Sequence, residues 1–159
     1  MSTPAPTTAW VKAGLVALPL YGLVLGYATR VPQPDQTTDP AGWAEFVSSP
    51  TYLVEHVASS VVGALLVIFG TAALGTLLAS SRASRLALWG TVLAVAGQIL
   101  LMVPGTIATF GTPPIGAAYL EGHREVMELE FSPLLGVIFL LGLLLVVVGN
   151  VVLGVAVWR

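Results

Sequence analysis

The sequence predicts an all-α fold: a four-span transmembrane helical bundle, N-in/C-in, with two short outer helical elements capping the non-cytoplasmic face. Three observations predict it: four long charge-free runs, a segregation of cations from acids along the chain, and a Pro-marked helix start at the head of each outer element. The runs are Ala13–Thr29, Val57–Ser81, Leu86–Leu120 and Phe131–Trp158, of 17, 25, 35 and 28 residues. A hydrocarbon core about 30 Å thick takes about 20 helical residues, so each run supplies one crossing, the first barely. Composition agrees, with 56% hydrophobic and 9% charged residues, where soluble domains carry about a quarter charged. No run shows the ~10-residue alternating segments of a membrane barrel, and backbone groups in lipid are otherwise satisfied only within helices. The whole chain, 1–159, reads as one integral-membrane domain. Its spans fall at about 11–29, 50–79, 86–110 and 133–158, and its outer connections at about 30–49 and 111–132.

Orientation follows from the charges. Lys12, Arg82, Arg85 and Arg159 flank the spans on one side. Every acid falls on the other: Asp35, Asp39, Glu45 and Glu55, then Glu121, Glu125, Glu128 and Glu130, joined only by Arg30 and Arg124. Lys and Arg concentrate in cytoplasmic segments, which makes both termini cytoplasmic and leaves the two longer connections outside. Lys12 ahead of an apolar stretch ending Gly26-Tyr27-Ala28 imitates a signal peptide. The tyrosines and Pro19 make a poor apolar region for one, so the stretch reads as the first span.

Along the chain, residues 1–9 are Pro/Thr/Ala-rich and expected to fray, with Trp10 and Lys12 anchoring span one at the interface. Gly22 and Gly26 give that span a GxxxG face suited to close packing. Pro32 and Pro34 exclude a helix at the start of the first connection. Asp39-Pro40 then opens a short interfacial helix over Ala41–Val47 that sets Trp43, Phe46 and Val47 to one side. Ser49-Pro50 opens span two, where His56, Ser60, Gly63, Val67, Gly70 and Leu74 form one stripe that points His56 into the bundle. In span three Gly90, Ala94 and Gln98 precede Pro104, which is expected to kink it. Thr112-Pro113 is read as a break that ends this span and starts an amphipathic outer helix over about Pro113–Glu130, with Glu121, Glu125 and Glu128 exposed. Ser132-Pro133 opens span four, with Gly142 and Gly149 seven apart and Asn150 its one strongly polar residue. Tyr52-Leu53-x-x-His56 recurs as Tyr119-Leu120-x-x-His123 at an offset of 67, but the Ser-Pro starts align at 83, which argues against a duplication.

Few chemistries survive the composition. With no cysteine there is no disulfide exchange, thiolate catalysis or thiolate–metal site, no basic run suggests nucleic acid, and no HExxH, nucleophile elbow or P-loop occurs. Gln98 and Asn150, the polar residues deep in the spans, cannot carry a proton, which argues against proton-coupled transport. What remains is the outer mouth. The only two histidines, His56 and His123, lie there among acids: Glu55 beside the first, and Glu121, Glu125 and Glu130 with Arg124 around the second. Imidazole can ligate a metal or haem or titrate near neutrality, with carboxylates orienting it. The plainer alternatives are an interfacial His56 bonded across the bundle, a solvated His123 and a solvated acidic face.

The leading functional reading is a non-enzymatic membrane subunit or binding protein with an outer-face polar site built from His56, Glu55, His123 and Glu125. One alternative is a haem- or metal-binding redox membrane protein that uses His56 and His123, and another is a small transporter. The expected partners are the lipid bilayer and a homo-oligomer or larger membrane complex. The expected location is the cell membrane, as a multi-pass protein of a prokaryotic plasma membrane.

Overall fold

The computed structural model describes residues 9–129 and 132–159 and is all-helical over them. Of the stretch expected to fray only Ala9 is among these residues, and Glu130 lies outside them. The helices are α1 (Ala9–Ala28), α2 (Pro40–Val47), α3 (Pro50–Leu78), α4 (Ser84–Leu120) and α5 (Pro133–Trp158), with a 3₁₀ turn at Arg124–Glu128. Four of them, α1, α3, α4 and α5, are long and apolar enough to cross a membrane. Their most exposed side chains include Leu23, Phe69, Leu88 and Leu140, a surface suited to hydrocarbon rather than water.

The Pro-marked starts behave as side-chain capping predicts. Asp39 accepts the amide of Gly42 at 2.9 Å, Ser49 that of Tyr52 at 3.1 Å and Ser132 that of Leu134 at 3.3 Å. In each, a proline follows the cap where its missing N–H leaves no bond unmade. Thr112-Pro113 behaves differently. Helix α4 passes through it without a break and runs for 37 residues, because the turns just ahead of the prolines widen into a π-helical segment, Ile107–Gly111. It ends at Leu120 instead, where Gly122 adopts φ 102°. The amide of His123 bonds the carbonyl of Ala118 at 3.1 Å, and that of Gly122 bonds Tyr119 at 3.0 Å. This is the Schellman arrangement that a glycine past the last turn makes possible. The outer amphipathic helix expected over Pro113–Glu130 is therefore the end of α4, the Gly122 corner and the 3₁₀ turn, with Glu121, Glu125 and Glu128 exposed as anticipated.

The four long helices form a row rather than a closed ring. α1 packs on α3, α3 on α4 and α4 on α5, each antiparallel to its neighbour, while α1 and α5 make hardly any contact. The tightest seam is α4 on α5, where glycines let the two backbones meet. A Cβ on Gly97 would stand 2.6 Å from the Val146 amide nitrogen and 2.7 Å from the Gly142 carbonyl oxygen, and one on Gly90 would stand 3.0 Å from the Gly149 carbonyl oxygen. In hydrocarbon, where no hydrophobic drive joins helices, such close van der Waals contact is what holds them. The antiparallel row gathers Lys12, Arg82, Arg85 and Arg159 at one end and the acids among the described residues at the other. These are the basic and acidic ends below.

Candidate ligand-binding cavity at the acidic end

Helix α4 projects past its neighbours at the acidic end, and α2 lies against its last turns. Trp43, Ala44 and Val47 of α2 are buried with Tyr52 of α3, and Phe46, Ile115, Tyr119 and Met127 pack around them. Gly116 makes the approach possible: a Cβ there would sit 2.5 Å from the Val47 side chain and 2.8 Å from the Ala44 carbonyl oxygen. The asymmetry of α2 comes from its sequence, which groups Trp43, Phe46 and Val47 at helical spacing.

Beneath this cap lies a cavity of about 220 Å³ lined by Trp43, Tyr52, His56, Ile115, Val126 and Leu129, with Gln33, Gln36, Ala108 and Thr112 completing the wall. The polar groups come from three sources. The loop between α1 and α2 brings the two glutamines, with the Gln36 amide donating to the Met127 sulfur at 3.6 Å. That loop is fixed by Asp35, which accepts from the amides of Thr37 at 2.7 Å and Thr38 at 3.0 Å and from the Thr37 hydroxyl. The Thr37 hydroxyl, then the two amides, hold the Asp35 carboxyl below the usual carboxylate range.

Helix α3 supplies Tyr52 and His56. Their rings stack at 3.8 Å between centroids and 27° between planes, the edge of Phe46 meets Tyr52 at 5.7 Å, and His56 Nδ1 lies 3.0 Å from the Tyr52 carbonyl oxygen. The Tyr52 hydroxyl donates to the Ala108 carbonyl at 2.9 Å, and the reason lies in the prolines of α4. In the π register the Thr112 amide bonds Ile107, so the donor due to Ala108 would be residue 113. Pro113 has none. The buried tyrosine therefore supplies the proton that the backbone lacks.

The expected site residues divide between places. His56 lines the cavity. Glu55, one residue earlier, is not in its wall; it is 2% exposed, and its Oε1 lies 3.4 Å from Nη2 of Arg30, whose guanidinium rests 3.7 Å above the Tyr27 ring. That contact is ionic without hydrogen-bond alignment, and Glu55 Oε1 has no hydrogen-bond partner. His123 and Glu125 pair at 3.3 Å on the surface, both largely exposed and both outside the cavity wall. Among the described residues no group of three or more His, Asp or Glu side chains converges.

Sequence reasoning passed over Gln33, Gln36 and Thr112 as site residues, and took Tyr52 only as part of a repeat. One signal was available: prolines 113 and 114 must orphan carbonyls, and a buried tyrosine at a neighbouring helix start can answer them. Within the long helices, Asn150 donates to its own Val146 carbonyl at 2.8 Å. Gln98 lines a separate cleft of about 460 Å³ with Ser59, Ser60 and Met102, floored by α3 and α4 and flanked by Leu25 of α1 and Phe139 of α5.

The four apolar helices suit a small multi-pass membrane protein. Compared with known protein families, curated proteins and solved structures, the chain matches none.

Proposed function

We propose that this is a non-enzymatic membrane binding protein or subunit, with both termini cytoplasmic, whose outer-face cavity takes a small neutral molecule combining an apolar ring with a hydrogen-bonding group. The observation that carries the reading is the wall of that cavity, where His56, Gln33 and Gln36 share the lining with the aromatic and aliphatic side chains of Trp43, Tyr52, Ile115, Val126 and Leu129. Pockets that bind small molecules are mostly apolar with a few placed polar groups, and about 220 Å³ is below the ~300 Å³ at which drug-sized ligands begin. A ligand of about ten non-hydrogen atoms fits, with a Kd on the order of millimolar. The placement of His123 at the surface lends nothing to the haem or metal alternative. The segregation of Lys and Arg supports the orientation.

Trp43 reports on the cavity. With Trp10, Trp89 and Trp158 replaced by phenylalanine it is the sole tryptophan, and 4-bromobenzamide, a heavy-atom quencher of the required shape, should quench it saturably. Replacing His56 with leucine should weaken that binding by about fivefold, the value of one lost hydrogen bond. Bromobenzene, which lacks the amide, should quench only in proportion to its concentration. Linear, unsaturable quenching by both compounds would reject the cavity as a binding site.

A further inference from the structure

The basic end carries a second constellation, independent of the cavity above. Arg82, Arg85 and Arg159 line one open cavity of about 460 Å³ together with Ala83, Ser84 and Leu86. Among the described residues no Asp or Glu side chain lies at this end, and none of the three arginines makes a salt bridge to one. Three guanidinium groups on one cavity repel unless an anion joins them, and their planar forks match phosphate oxygens.

A groove of about 300 Å³ adjoins this cavity. It runs between α3 and α4, lined by Ala72, Gly75, Ala79, Leu88 and Thr91, and its wall shares Ser84 with the arginine cavity. The groove is mostly apolar: the hydroxyl of Thr76 is taken by the Ala72 carbonyl at 2.9 Å, that of Thr91 is buried without a partner among the described residues, and no ionisable group lines it. Leu88 and Trp89 are exposed just inside the arginines, and Trp158 precedes Arg159, the placement of side chains that sit at a membrane–water interface.

An open cationic cavity that shares Ser84 with a mostly apolar groove matches one kind of molecule. We infer that the basic end is a binding site for an anionic phospholipid, with the phosphate held by Arg82, Arg85 and Arg159 and the first part of an acyl chain laid in the α3–α4 groove. The cations alone would suit free phosphate equally well; the groove distinguishes the lipid. Basic pockets beside membrane helices use the same physics to select anionic headgroups.

Trp89 and Trp158 make the test direct. The full chain is reconstituted in phosphatidylcholine bilayers containing increasing fractions of brominated phosphatidylglycerol or, separately, brominated phosphatidylcholine. Phosphatidylglycerol should reach half-maximal quenching at a mole fraction about tenfold lower. In the Arg82→Gln, Arg85→Gln double variant the two lipids should quench alike. On the unaltered protein, NaCl at about 0.5 M should largely remove the preference by screening, a reading that does not depend on how the variant folds. Inorganic phosphate at about 10 mM should leave it unchanged. Equal quenching by both lipids, a preference that survives the double substitution or high salt, or displacement by inorganic phosphate would each overturn the assignment.

Discussion

The Tyr52 hydroxyl donates to the Ala108 carbonyl at 2.9 Å across 56 residues of sequence, joining the start of α3 to the widened turn of α4. It answers an acceptor that Pro113 leaves without a partner. Replacing Tyr52 with phenylalanine keeps the ring and its stack on His56 but abandons that partly buried carbonyl. The variant should lose about 1–2 kcal/mol against unfolding in mixed detergent. The unaltered protein and a Tyr119→Phe variant, whose hydroxyl makes no such bond, should unfold together.

Arg30 and Glu55 should behave asymmetrically. Substituting Arg30 with glutamine leaves the carboxylate of Glu55 buried and unpaired, which should cost about 1–3 kcal/mol, less than a fully desolvated pair because Arg30 is half exposed. Substituting Glu55 with glutamine removes the charge that needed compensation and should cost less. In the double variant the two costs should not add, and a double-mutant cycle measured by unfolding would read the coupling directly.

The seam between α4 and α5 should not tolerate side chains. At Gly97 the neighbours of an added Cβ are backbone atoms of α5, which cannot swing away as a side-chain tip can. Gly97→Val should separate the helices, cost about 1–3 kcal/mol and lower the yield of folded protein. A thermal melt should read that loss for Gly97→Val and none for Gly154→Val, since nothing lies within 4 Å of a Cβ added at Gly154.

Acid should loosen the loop that carries Gln33 and Gln36. The carboxyl of Asp35 is held below its ordinary value by the Thr37 hydroxyl and then by the Thr37 and Thr38 amides. Its contribution is therefore complete above the ordinary carboxylate value of about 4 and lost as pH falls through the lowered one. Carboxyl carbon NMR should show Asp35 titrating below the chain's exposed carboxylates, and Thr37→Ala should move it back toward them.

The parts of this architecture that depend on local rules were legible in the sequence. The apolar runs gave the four long helices, and the Asp-Pro and Ser-Pro pairs gave three helix starts, because capping is settled within four residues. Thr112-Pro113 carries the same local signal and misled, since a π segment upstream can absorb prolines without ending a helix. The candidate site was half legible. The stripe at helical spacing turned His56 inward, but the proximity of acids in sequence said nothing about the side of the helix they occupy, and Glu55 faces Arg30 instead. His123 follows Gly122, whose positive φ turns the chain, and periodicity cannot carry a prediction through such a corner.

Unbroken, α4 measures about 55 Å, nearly twice the ~30 Å thickness of a hydrocarbon core. The length in excess of such a core makes α4 a lever, with the cap fastened to it through Gly116. A change of 10° in its tilt about the Ser84 end moves the Leu120 end by roughly 10 Å, and helices adjust tilt when bilayer thickness changes. A cap carried on so long a helix moves with every change in that helix's tilt.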